Sequence, residues 1–143
     1  MGHTLLYRLF KIGGIPKKLR PVLEAEGMVV VDEGIGGWVI TKDVKGPGKR
    51  FKHRMEGFSG FLAITQKRII AYTYWKRQIN SSVEDPRISA LHADLSSSQS
   101  IVLSFESSAF RDDWQGIIKL HFKTSKAQKF YDVSMDIGAQ CSD

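Results

Sequence analysis

Between Ile117 and Thr124 apolar and polar residues alternate strictly. Ile118, Leu120 and Phe122 point one way, and Lys119, His121 and Lys123 the other. A period of two is that of a strand with one buried and one wet face. Two apolar, β-prone runs, Gly60–Thr65 and Ile69–Tyr74, flank Gln66-Lys67-Arg68 and predict a hairpin with a charged, solvated turn. Met28–Val31 is a short β-branched run, and Gly34, Gly36 and Gly37 predict a tight turn after it. Trp38–Val44 and Phe51–Met55 read as strands around the turn Lys45-Gly46-Pro47-Gly48-Lys49. Arg87–Leu95 and Ser100–Glu106 read as two more, joined by a serine-rich loop.

The ends of the chain change period. Leu5, Leu6, Leu9, Phe10 and Ile12 recur at helical spacing, Gly13-Gly14 breaks them, and Pro16 opens a second short helix with Leu19, Val22 and Leu23 on its apolar side. Gly27 ends it. After residue 124, Ala127, Phe130, Ser134 and Ile137 form a helical stripe. Ser125 and Gln128 fit a capping box, and Gly138 fits a helix stop. The expected organisation is a helical segment at 1–27 packed on one domain at 28–138, then a tail at 139–143. The domain is mainly β, with about seven antiparallel strands forming a bent barrel closed by the C-terminal helix.

Composition agrees with one domain: 143 residues, 42% hydrophobic and 25% charged, is an ordinary globular balance. No apolar run reaches the ~18 residues of a membrane span. Arg8 and Lys11 interrupt the apolar start, so a signal peptide is not expected, and Leu6 stands where a myristoylation motif after Gly2 needs Ser or Thr. The single cysteine, Cys141, cannot form an internal disulfide. A cytoplasmic chain, with peripheral membrane association as an option, is the expectation. A net charge of +6 favours anionic partners.

The segment Gly60-Phe-Leu-Ala-Ile-Thr-Gln-Lys-Arg-Ile-Ile-Ala-Tyr72 resembles the hairpin of GRAM-like and bacterial pleckstrin-homology-like domains, and the order of elements over residues 28–138 resembles that superfold. The closing helix Lys126–Ile137 lacks the tryptophan of the eukaryotic pattern, which points to the GRAM-like or bacterial branch. The resemblance implies a noncatalytic binding module. Its phosphoinositide-binding relatives carry a Lys…Lys/Arg-x-Arg pattern between early strands, and Lys45, Lys52 and Arg54 can be read onto it.

The residues themselves also point to that loop. Lys42–Arg54 holds six cations, Lys42, Lys45, Lys49, Arg50, Lys52 and Arg54, in thirteen residues, opposed only by Asp43. Cations around a glycine turn can gather a phosphate. They can equally be a solvated hairpin that deters edge-to-edge pairing. Tyr72, Tyr74 and Trp75 beside Lys76 and Arg77 suggest a nucleic-acid surface, but without an RNA-binding motif they read better as packing residues, Tyr72 and Tyr74 on one face and Trp75 on the other. His3, His53, His92 and His121 are scattered and define no metal site. Gly46-Pro-Gly48-Lys49 lacks the Ser or Thr of a phosphate loop, Gly34-Ile-Gly36-Gly37 is no dinucleotide fingerprint, and Asp112-Asp113 read as a solvated turn. The expectation is therefore no enzyme, no cofactor and no nucleic-acid partner. It is an adaptor for anionic lipid headgroups or a phosphorylated ligand, the alternative being a protein-interaction or self-association domain using the N-terminal helix and a sheet edge.

Overall fold

The computed structural model describes residues 3–110 and 113–141; Gly2 and Asp112 lie outside them, as do the side chains of Lys49 and Phe51. Phe61 to Ile64 and Ile69 to Ala71 are apolar at consecutive positions, which a strand needs only if both its faces are covered. Both are. The chain runs α1 (Leu5–Phe10), α2 (Arg20–Glu26), β1 (Met28–Gly46), β2 (Lys49–Thr65), β3 (Arg68–Thr73), β4 (Lys76–Ser82), β5 (His92–Ser97), β6 (Ser100–Glu106), β7 (Gln115–Lys123) and α3 (Ala127–Asp136). Leu62, Ile64, Ile69 and Ala71 face the main core, while Phe61, Ala63 and Ile70 face a second cluster closed by Ile15 and Leu23 of the N-terminal segment.

All seven strands form one antiparallel sheet in the order β4-β3-β2-β1-β7-β6-β5. The sheet is mainly what the sequence implied, with one correction: β4 and β5 are separate edges, so the barrel is not closed. α3 packs against β5, β6 and β1. Phe130 is fully buried beneath it and Ile137 half-buried at its end.

Several boundaries differ from the sequence reading. Gly34, Gly36 and Gly37 do not turn the chain, because β1 runs through them and bends at a register shift between Glu33 and Ile35. Phe51–Met55 and Gly60–Thr65 are likewise one strand. Arg87–Leu95 is not a strand throughout. Asp85 accepts from the Arg87 N–H and Pro86 sits in the first turn, which sets a 3-10 turn over Pro86–Ala90. The capping box does not form; Thr124 Oγ1 accepts from the Lys126 N–H, and Gln128 donates to Asp132 instead. The 139–143 segment is anchored at its start, where Ala139 is buried and Gln140 exchanges backbone hydrogen bonds with Leu91 and Ala93.

The N-terminal segment is held by polar contacts. Glu33 accepts from Tyr7 Oη (3.2 Å), the Ile15 N–H (2.8 Å) and Arg20 Nη2 (2.6 Å). Thr4 and Ser59 hydroxyls bond at 2.6 Å, and Ser59 Oγ donates to the Ile12 carbonyl at 2.8 Å. Only Tyr7 of α1 turns inward, against Gly34. Leu5, Leu9 and Phe10 remain 67%, 63% and 66% exposed.

Candidate functional site

β1 and β2 extend as a two-stranded arm whose tip, around Gly48, reaches past the last β7 partner, Gln115. The hairpin forms because Gly48 takes a φ of 69°, open to glycine and costly to other residues. Asp43 also adopts a positive φ, 52°, and the pairing to β7 slips by one residue between Lys42 and Lys45. That bulge twists the arm, and it separates the expected cations whose side chains are described. Lys42 pairs with His53 and with Ile117 on the outer face. Arg54 pairs with Thr41 and faces inward, ion-paired to Glu56. Lys45 and Arg50 are cross-strand neighbours nearest the tip, and Lys52 is exposed. Lys42, Lys45, Arg50 and Lys52 have no carboxylate partner among the described residues. Lys49 has its backbone at the start of β2, opposite Gly46, and its side chain outside the described region.

The arm curls over a groove of about 540 Å³ at the end of the sheet away from α3. Its walls combine the apolar Val39, Val44, Ile118, Tyr74, Trp75 and Trp114 with the polar Thr41, Thr73 and Gln78. Arg54, Glu56 and Lys76 stand at its edge. Gln78 Nε2 donates to Thr73 Oγ1 at 2.8 Å, so the buried polar pair within the wall is satisfied. This volume lies within the range of small-ligand clefts.

The aromatic residues are arranged differently from the alternation. Tyr74 has a φ of 57° in the β3–β4 turn, which breaks the period of two. Tyr72 stacks on Phe61 in the outer cluster, Tyr74 packs against the main core, and Trp75, stacked on Tyr74, is still 76% exposed. Trp114, absent from the sequence reading, supplies part of the groove wall; its position beside Gly46 has no sequence signature. Arg68 is also not a free solvated cation, since it grips Glu26 through Nε (2.9 Å) and Nη2 (2.5 Å). Burial raises the Glu26 carboxyl, but the bonds from Arg68 and Thr65 outweigh it and hold its pKa below the ordinary value. Lys67 alone of that pair is exposed.

His121 is half-buried, stacked on Trp38 at 4.8 Å with Lys123 Nζ 5.3 Å from the same indole. Burial first, then the charge of Lys119, lowers its pKa, so the imidazole is held neutral. Among the described residues no cluster of His, Cys, Asp or Glu is arranged to hold a metal ion, and no helix is long and apolar enough to cross a membrane. Neither a protein-family model nor a curated protein sequence matches the chain. The single antiparallel seven-strand sheet with its C-terminal helix is compatible with a pleckstrin-homology-like fold.

Proposed function

We propose that the chain is a noncatalytic, pleckstrin-homology-like binding module of the GRAM-like kind, and that it docks on anionic membranes through the β1–β2 arm. One observation carries this reading. Four exposed cations without carboxylate partners among the described residues project on the arm, and across the groove mouth the β3–β4 turn presents the exposed Trp75 beside Lys76. Crowded cations repel one another, and an anionic surface relieves that repulsion. An interfacial tryptophan is suited to the headgroup layer beside them.

The test is cosedimentation with phosphatidylcholine vesicles with and without phosphatidylserine, at low and high salt. Changing Lys45, Arg50 and Lys52 together to Gln removes about 1 kcal/mol per cation, roughly two decades in affinity for the anionic vesicles. The fold is expected to survive, since all three side chains are exposed. Calorimetry with inorganic phosphate separates headgroup-surface binding from capture of a soluble phosphate. Wild-type protein that ignores both at low salt would reduce the arm to a solvated hairpin.

A further inference from the structure

Resting on that reading, we propose that the outer face of β1, β2 and β7 together with α1 is the surface that lies on the bilayer, with Leu5, Leu9 and Phe10 entering the headgroup–acyl boundary. The arm alone gives an electrostatic contact. The outer face adds an apolar one.

The alternation that buries Val39, Ile118 and Leu120 sends Trp38, Ile40 and Lys42 of β1 outward. Register places Met55 and His53 of β2, and Ile117, Lys119 and His121 of β7, beside them. Met55 is 65% exposed and Ile117 is 42%. α1 continues this face, since Thr4 rests on Gly36, two residues before Trp38. From there to Lys42 the strip runs roughly 20 Å at ~3.3 Å per residue. No Asp or Glu occurs in residues 1–23, and none stands at the outward positions from Trp38 to Lys42, His53 to Gly57 or Ile117 to Lys123.

Exposed aliphatic groups interleaved with cations, the carboxylate beneath α1 being Glu33, already ion-paired to Arg20, match an anionic lipid surface in both its charged and its apolar layers. Lysine stems lie along such a surface while their heads stay in the headgroups. Two alternatives fit less well. Nucleic acid is recognised through charge and stacking, but Trp38 is already stacked on His121 and covered by Lys123, and beside Phe10 the most exposed apolar groups, Leu5, Leu9 and Met55, offer no stacking plane. A second copy would bring one basic face against another. The apolar residues of α1 protrude as a ridge instead of lining a shaped groove, which suits a fluid partner. Lys42 belongs to this face and to the arm, so one bilayer contact engages both.

The test places a single thiol on the ridge. Cys141 is the only cysteine and is exposed, so Phe10→Cys with Cys141→Ser gives one labelling site at a position without core contacts. An environment-sensitive fluorophore there should brighten several-fold and shift to the blue on phosphatidylserine vesicles. The same label at Gln128→Cys, exposed on α3, should not respond. In parallel, Leu9→Gln with Phe10→Gln should lose the binding that survives high salt, while the arm variant should lose the salt-sensitive part. A silent label on protein that still cosediments would overturn the outer-face assignment and leave the arm reading standing. Failure to cosediment at all would overturn both. A label that responds only to a single-stranded oligonucleotide would reassign the face to nucleic acid. A doubled light-scattering mass that collapses in the Leu9/Phe10 variant would reassign it to a second copy.

Discussion

Glu33 receives three donors from three parts of the N-terminal segment, so one carboxylate ties Tyr7, Ile15 and Arg20 to β1. Burial opposes its ionisation, but the bonds from Arg20 and the Ile15 N–H, with Tyr7, outweigh that and hold its pKa below the ordinary carboxylate value. A lysine- and leucine-rich segment gives no hint of such a role for an acid 13 residues beyond Arg20, because the contact exists only once β1 passes beneath it. Glu33→Gln keeps the shape and loses the charge, and charge-assisted bonds are worth about 1.5–3 kcal/mol each. The expected loss is ~2 kcal/mol in urea unfolding, and an unchanged midpoint would show the segment to be held by Ile15, Leu23 and the Ser59 hydrogen bonds without this charge. Phe130 was legible from its helical stripe and is fully buried. Phe130→Ala should cost ~3 kcal/mol or more through lost burial and the cavity left behind; an unaltered midpoint would make α3 an appendage.

At the scale of elements, the sequence conveys strand faces better than strand lengths. The β2–β3 hairpin turns where expected because Thr65 Oγ1 accepts from the Lys67 and Arg68 N–H groups, a local device written in consecutive residues. Gly34, Gly36 and Gly37 carry the composition of a turn, yet within β1 they serve close approach. A Cβ on Gly37 would lie 1.7 Å from the His121 carbonyl oxygen, and one on Gly34, at φ 66°, 2.2 Å from the Tyr7 ring. β4 went unread because Lys76–Ser82 is polar, an edge strand burying only Gln78, Ile79 and Ser81. The groove was illegible for a different reason. Its walls come from residues 39–44, 73–78 and 114–118, joined only by the twist of the arm. The six cations were legible as a cluster in sequence, but across the Asp43 bulge Lys42 lies on the outer face and Arg54 on the inner one. Gly37→Ala should therefore push β1 from β7 at a cost of about 1–3 kcal/mol. An alanine variant as stable as the wild type would mean the two strands separate freely there.

Over the whole molecule, charge is distributed by surface. The acids that shift are engaged in ion pairs, and the outer face is basic. Those pairs set how stability follows pH. Glu26 and Glu33 are held below their ordinary pKa, so in acid the unfolded chain binds more protons than the folded one, and stability is lost as pH falls below ~4.3. His121 is also held below its ordinary value. Folding therefore loses stability earlier, as pH falls below ~6.5 and the unfolded imidazole takes a proton that the folded one resists. Tyr7 is raised, by burial first and then by the Glu33 charge, so the folded chain keeps its proton longer and stability declines above ~10. The urea midpoint should thus show a plateau between neutral and mildly alkaline pH, a shallow descent below ~6.5 and a steeper one below ~4.3. His121→Phe preserves a ring against Trp38 and removes the titrating group. In that variant the shallow descent should flatten while the steep one persists. If the two proteins trace the same curve between pH ~7 and ~5, His121 is not the group that titrates there, and its stacking on Trp38 opens too readily to hold the imidazole neutral.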